Sequence, residues 1–279
     1  MNPFYERFTN FCGGSRRLAL LVGINLGVGL AICASWLVCR MTNLSFGGVY
    51  SLLALPASWK AFASHPWTVV TYMVAQFSPI HLLFNVLWLI WFGRMIIESG
   101  REKSLPLIYL TGGLSGAVWY LAATSSGAGG GAYLTGSSAA VMAIMAVGTL
   151  INPDRRVNML LVGAVKVKWV AFVCVILTIF GAVGGTPAGQ AAHLGGLVAG
   201  TLWIPATRLI SALKMKSRGI DPMTKGRKID GRAAANLMRD NRMMHIRLDE
   251  LLDKVRHSGY DSLSKREKEE LDMISRRIR

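Results

Sequence analysis

Acidic residues are scarce in this chain, which carries 15 Asp and Glu against 31 Lys and Arg. None occurs between Glu6 and Glu98, between Glu102 and Asp154, or between Asp154 and Asp221. Those intervals hold the apolar runs described below. An aspartic protease needs two neighbouring carboxylates, and a three-member serine triad needs one carboxylate to orient its histidine. The sequence therefore excludes both arrangements within the apolar runs.

Patterns that bind metal are also missing. The four cysteines, Cys12, Cys33, Cys39 and Cys174, do not have the spacing of a metal site. The sequence contains no His-Glu-x-x-His segment, so the helix that holds zinc in many metalloproteases is absent. We therefore expect the protein to use neither a metal ion nor a cofactor.

Long apolar runs are the main feature of the chain, in which 52% of the residues are hydrophobic. A helix of about 20 residues crosses the hydrocarbon core of a bilayer, which is about 30 Å thick. The sequence predicts an all-α membrane protein with six transmembrane helices, the first of which is retained. We place these spans at residues 17–39, 79–97, 104–124, 137–151, 167–184 and 189–211.

Basic residues indicate the orientation of the six spans. If the amino terminus is inside, the outer segments carry only Arg40 and Lys60. The inner segments before the tail carry Arg7, Arg16, Arg17, Arg94, Arg101, Lys103, Arg155, Arg156, Lys166 and Lys168. Because basic residues concentrate on the cytosolic side of membrane proteins, we expect both termini in the cytosol.

Two outer segments differ from the spans. Residues 40–78 are rich in aromatic side chains, which favour the headgroup level, so we expect a long loop that lies in the outer interface. Residues 125–135 are rich in glycine and contain no charge. Such a segment enters a membrane only where protein or a wet cavity surrounds it. We expect it to place the following helix start below the outer surface.

The sequence divides into a membrane domain at residues 1–212 and a basic cytosolic tail at residues 213–279. From Arg208 onward, the chain carries 19 Lys and Arg and 11 Asp and Glu. A mixed-charge tail next to a membrane favours water and anionic lipid headgroups, and we prefer membrane lipid to nucleic acid as its partner. A linker at 219–231, a helix at 232–257 and a capping box at Ser264 predict a helical hairpin.

A serine and a histidine on separate spans are the candidates for catalysis. With carboxylates and metals excluded, the remaining possibility is a dyad in which Ser138 is the nucleophile and His193 the general base. His81 and Asn85 lie one helical turn apart, so both side chains reach a common point as donors to an oxyanion. The backbone amide of Ser138, at a helix amino terminus, is the third donor.

Small residues allow the two catalytic helices to approach each other. Gly196 and Gly200 lie on one face of the histidine helix, and Ala139 follows the nucleophile. Small side chains at such spacing let membrane helices come close to backbone contact. Gly136 precedes the nucleophile by two residues and completes the set of packing residues at the dyad.

Residues 60–205 resemble the rhomboid family of intramembrane serine proteases. The motifs are Pro66-Trp67-Thr68-Val-Val-Thr-Tyr72, His81-x-x-x-Asn85, Gly136-x-Ser138 and Ala192-His193-x-x-Gly196-x-x-x-Gly200. The resemblance implies a six-helix bundle with a water-filled cavity open to the outer face, in a bacterial inner membrane. It also implies an endopeptidase whose partners are single-span membrane proteins, with Ser138 and His193 as the dyad.

This chain departs from the common rhomboid pattern at three positions. Ala139 stands where many members have glycine, and Gln76 where many have a second histidine. Thr68 follows the tryptophan in place of arginine. Two alternatives remain: a catalytically inactive rhomboid-like protein that binds membrane spans, and a small transporter with a polar midplane site. A transporter would predict inverted repeats, which the sequence lacks.

Overall fold

The computed structural model describes residues 3–128, 133–159, 163–180, 185–217 and 231–278. The chain forms two compact units, residues 1–208 and 209–279. Among the described residues, ten α-helices start within the first unit. They are α1 (Pro3–Phe11), α2 (Arg16–Thr42), α3 (Gly47–Leu53), α4 (Trp59–Ser64), α5 (Thr68–Thr71), α6 (Pro79–Glu98), α7 (Leu105–Ser125), α8 (Ser138–Ile151), α9 (Val167–Ile179) and α10 (Pro187–Ser217). The all-α membrane fold is confirmed.

Six of these helices correspond to the six predicted spans. Among the described residues, α2, α6, α7 with the short 3₁₀ turn before it, and α10 are long and apolar enough to cross a membrane. The helices α8 and α9 are apolar but shorter. The predicted fifth span extended to residue 184, whereas α9 ends at Ile179, and residues 181–184 lie outside the described part. Side chains such as Leu30, Phe172 and Leu202 point outward and are more than half exposed, as expected for lipid-facing helices.

The helix α8 lies at the centre of the first unit. All ten of its residues from Ala139 to Gly148 are buried, and it packs against both α6 and α7. A central helix surrounded by other helices does not have to present a long apolar surface to lipid. This explains how a helix of 14 residues takes the place of a full span.

The predicted outer loop, residues 40–78, contains structure that the sequence pattern does not predict. Helices α3, α4 and α5 lie within it, and strand β1 (Leu55–Pro56) pairs antiparallel with β2 (Tyr133–Leu134). This pairing attaches the loop to the segment that leads into α8. Of the glycine-rich segment, residues 129–132 lie outside the described part of the chain.

A β-hairpin connects α8 to α9, where the sequence predicted only a basic inner segment. Strand β3 (Arg156–Met159) pairs antiparallel with β4 (Gly163–Lys166). At its base, Asp154 accepts hydrogen bonds from Lys166 at 3.1 Å and Lys168 at 2.7 Å. The two lysines lower the pKa of this carboxyl group.

The second unit contains α11 (Gly231–Ser258) and α12 (Lys265–Ile278), and these bounds agree closely with the helices of the predicted hairpin. The capping box is confirmed, because the Ser264 amide donates to Glu267 at 2.7 Å and the Glu267 amide donates to Ser264 Oγ at 3.3 Å. Glu267 also accepts from Lys254 of α11 at 2.8 Å, and these bonds lower its pKa to about 2. Of the predicted linker at 219–231, residues 219–230 lie outside the described part of the chain.

Candidate active site

Ser138 is the first residue of α8, directly after a tight turn. Gly136 has φ +102°, a conformation that favours glycine, and a Cβ atom there would lie 2.8 Å from Cε1 of His81. The amide of Gly136 donates to the carbonyl of Tyr72 at 2.9 Å, which ties the turn to the outer loop. Ser137 is buried, whereas Ser138 is partly accessible. The turn therefore presents Ser138 at a helix amino terminus, where free N–H groups favour negative charge.

His193 lies near the start of α10 and is 4% exposed. Its Nε2 atom lies 2.6 Å from Ser138 Oγ, within hydrogen-bonding distance. At the beginning of this helix, Thr186 Oγ1 accepts a hydrogen bond from the amide of Gly189 at 3.1 Å. The structure thus brings together the serine and histidine that the sequence predicted, although 55 positions separate them.

Glycines on α10 permit this approach. A Cβ atom at Gly196 would collide with the backbone of Ala139, and one at Gly200 would collide with the backbone of Ala143. The Ala139 side chain itself faces another helix, since a Cβ atom at Gly116 of α7 would collide with the Ala139 methyl group. The expected crossing of α8 with α10 is therefore made by the backbone of Ala139, and its methyl group packs against α7.

His81 and Asn85 lie on the first turns of α6, which begins with Ser78 as its cap and Pro79 in its first turn. Both side chains line a cavity of about 530 Å³ that also contains Ser138 and His193. Apolar and weakly polar residues form the other walls: Ser78, Ile80, Phe84, Trp88, Val141, Met142, Met145, Cys174, Leu177 and Thr178. All four predicted side chains therefore border one space that has room for a short peptide segment.

A buried polar network behind the cavity was not predicted. Asn85 donates from Nδ2 to Gln76 Oε1 at 3.1 Å, and Gln76 donates from Nε2 to Ser137 Oγ at 2.7 Å. Asn25 of α2 and Tyr109 of α7 continue this network. The sequence offered one signal of this network, which is Asn25 in the first apolar run. A buried amide in a membrane needs polar partners.

The described residues contain no group of three or more His, Cys, Asp or Glu side chains that could hold a metal ion. A serine hydroxyl within hydrogen-bonding distance of a histidine nitrogen is the arrangement of an activated nucleophile. Donors on α6 that line the same cavity, and the amide at the start of α8, suit an oxygen that becomes negatively charged.

A family model described as Rhomboid domain matches residues 63–209, more than half of the chain. The chain belongs to the rhomboid family of intramembrane proteases and is an integral membrane protein. It is similar to "Rhomboid protease GlpG" of Haemophilus influenzae, with 27% identity over 147 residues, covering 50% of this chain and 69% of that protein. A second model, DUF6576, a family of unknown function, matches residues 238–277 in the tail.

Proposed function

We propose that this rhomboid protein is a serine endopeptidase that cleaves single-span membrane proteins through a dyad of Ser138 and His193. The observation that carries the proposal is the 2.6 Å distance between Ser138 Oγ and His193 Nε2. In the first step, Ser138 Oγ attacks the carbonyl carbon of the scissile peptide while His193 Nε2 accepts the hydroxyl proton. His81, Asn85 and the Ser138 amide donate to the resulting oxyanion.

The second half of the cycle returns the enzyme to its starting state. His193 gives its proton to the leaving amine, the C–N bond breaks, and the acyl group remains as an ester on Ser138. A water molecule then attacks this ester as His193 removes its proton. Collapse of the second tetrahedral intermediate transfers that proton to Ser138 Oγ and releases a carboxylic acid.

The positions of Ser138 and His193 near the starts of their helices support cleavage near the outer face. Ser138 begins α8, and His193 lies six residues into α10, about 9 Å along a helix that rises 1.5 Å per residue. With both termini in the cytosol, as the basic residues favour, these helix ends point toward the outer surface of a bacterial inner membrane. A substrate helix hides its peptide bonds, so the segment to be cut must unwind near that surface.

The test is to express the protein in bacterial cells together with a single-span substrate of known orientation and to map the cut by mass spectrometry. We expect one cut in the outer half of the substrate span or just outside it. Co-purification of uncut substrate with the wild-type protein would instead favour the catalytically inactive, span-binding alternative. A cut at the inner end would contradict the proposed orientation.

The tail is proposed to affect location rather than chemistry. From His193 to Arg208, α10 carries the chain about 22 Å toward the inner face, at 1.5 Å per residue. We therefore propose that the tail supplies no acid, base or oxyanion donor. Its basic residues next to the membrane favour anionic lipid rather than nucleic acid, each contributing about 1 kcal/mol near a charged leaflet.

We expect a protein truncated after Ile220 to keep its turnover number in detergent within about tenfold of the full chain, since all catalytic groups precede residue 208. The assay uses a short membrane-span substrate, with circular dichroism as the control for folding. A larger loss in a folded truncated protein would show that the tail is coupled to the active site. Weaker binding to vesicles that contain anionic lipid would support the lipid partner.

A further inference from the structure

In the buried network behind the cavity, a main-chain carbonyl determines which side-chain atoms donate hydrogen bonds and which accept them. Asn25 Nδ2 donates to the carbonyl of Leu21 at 2.9 Å. A carbonyl oxygen only accepts hydrogen bonds, so the nitrogen of the Asn25 amide must face Leu21. The hydroxyl of Tyr109 lies 3.1 Å from the same nitrogen and donates its own proton to the carbonyl of Met73 at 2.7 Å. The Tyr109 hydroxyl also lies 3.4 Å from Asn25 Oδ1, but its proton has the shorter bond to Met73, so it accepts from the nitrogen that the Leu21 carbonyl fixes.

The orientation of Asn25 determines the orientation of Gln76. With its nitrogen occupied, Asn25 turns Oδ1 toward Gln76 Nε2 at 3.5 Å, the longest link of the network. The same nitrogen of Gln76 donates to Ser137 Oγ at 2.7 Å. Gln76 is 1% exposed, and reversing its amide would bring Oε1 against Asn25 Oδ1, two acceptors with no hydrogen between them, at a buried position. Its Oε1 atom therefore faces the other way, toward α6.

Gln76 in turn determines which end of the Asn85 amide faces it. Gln76 Oε1 only accepts, and Asn85 Nδ2 lies 3.1 Å from it. An amide nitrogen carries two hydrogens, of which this bond uses one. The second hydrogen of Nδ2 remains for the cavity that Asn85 lines together with Ser138. A reversed Asn85 amide would place its nitrogen away from Gln76 and would bring two acceptors together.

We propose that Asn25 and Gln76 are positioning residues that form a relay and hold the Asn85 amide with an N–H group ready for the oxyanion. This inference rests on the proposed function, because it assigns Asn85 as an oxyanion donor. Preorganised donors stabilise a developing charge because they do not have to reorient during the reaction. The amide of Gln76 does not titrate, so its arrangement of donor and acceptor is the same at every pH.

The test is a double-mutant cycle of Gln76→Met with Asn85→Ala, measured as kcat and KM on a model single-span substrate. Asn85→Ala removes one oxyanion donor and should lower kcat by about 10²-fold. Gln76→Met, which keeps the length of the side chain but not its polarity, should lower kcat by about tenfold with little change in KM. If Gln76 acts through Asn85, the double variant should match Asn85→Ala within about twofold.

Tyr72→Phe is the matched control. Tyr72 is buried in the same outer segment, and its hydroxyl donates to the carbonyl of Gly113 at 2.6 Å, outside the relay. Its loss should lower the melting temperature, and its effect on kcat should multiply with that of Asn85→Ala. If Gln76→Met does not fold, Asn25→Leu takes its place in the same cycle.

If the effects of Gln76→Met and Asn85→Ala on kcat multiply in the double variant while Ser138→Ala is inactive, the relay is overturned and the dyad assignment remains. An effect of Gln76→Met on KM alone would also overturn it, because orientation of an oxyanion donor acts on the transition state. Full activity of Ser138→Ala would overturn the proposed function and the relay together.

Discussion

Replacing either Ser138 or His193 by alanine is expected to abolish cleavage of a single-span substrate, with kcat falling by at least about 10⁴-fold. Ser138 Oγ and His193 Nε2 lie 2.6 Å apart, so each variant would remove one partner of the proposed proton transfer. The two effects should not multiply, because the residues act as a unit. The measurement is turnover in detergent with purified, folded proteins.

Ser126→Ala and His257→Ala make the same substitutions at exposed positions outside the cavity, and both should keep wild-type activity. Melting curves of all four variants provide the check on folding. Retained turnover by either Ser138→Ala or His193→Ala would remove the dyad assignment. Loss of activity in either control variant would show that the assay responds to general damage.

Ala139→Leu is expected to destroy activity, whereas Ala139→Gly is expected to retain or raise it. The Ala139 methyl group occupies the space in front of Gly116 of α7, and its backbone meets Gly196 of α10. A leucine has no room there, and overpacking a buried site costs about 1–3 kcal/mol. It would also displace Ser138, and a shift of about 1 Å can reduce catalysis about 10²-fold.

Ala206→Leu, at an exposed position on α10, is the matched control and should remain active. Turnover and melting temperature are measured for each variant. An active Ala139→Leu protein with an unchanged melting temperature would contradict the close approach of α7, α8 and α10. Ala139→Gly separates the effect of crowding from that of a cavity, because it leaves Gly116 without its neighbouring methyl group.

The helices could be predicted from the sequence because length and apolar composition determine them. The predicted spans at 79–97 and 137–151 differ from α6 and α8 by only one residue at an end. The pairing of β1 with β2 involves two residues in each strand, too few to produce an alternating pattern. The short helices of the outer loop could not be predicted from the sequence pattern either, because tertiary contacts rather than periodicity stabilise them.

The candidate site could be predicted in part, because charge and polarity are rare in the spans. Ser138, His193, His81 and Asn85 were selected for that reason, and the structure places all four around one cavity. Asn25 was missed because an isolated amide on a long apolar helix does not identify its partner. Only the packing of α2 against α6 and α7 brings Asn25 to Gln76 and Tyr109.

The central claim, that Ser138 is a nucleophile activated by His193, is tested most directly with a fluorophosphonate probe that modifies activated serines. The wild-type protein should form one adduct, located by peptide mapping at Ser138. Ser138→Ala should form none, and His193→Ala should react on the order of 10³-fold more slowly because its serine lacks a base. An adduct on another serine, or equal labelling of Ser138→Ala, would contradict the dyad.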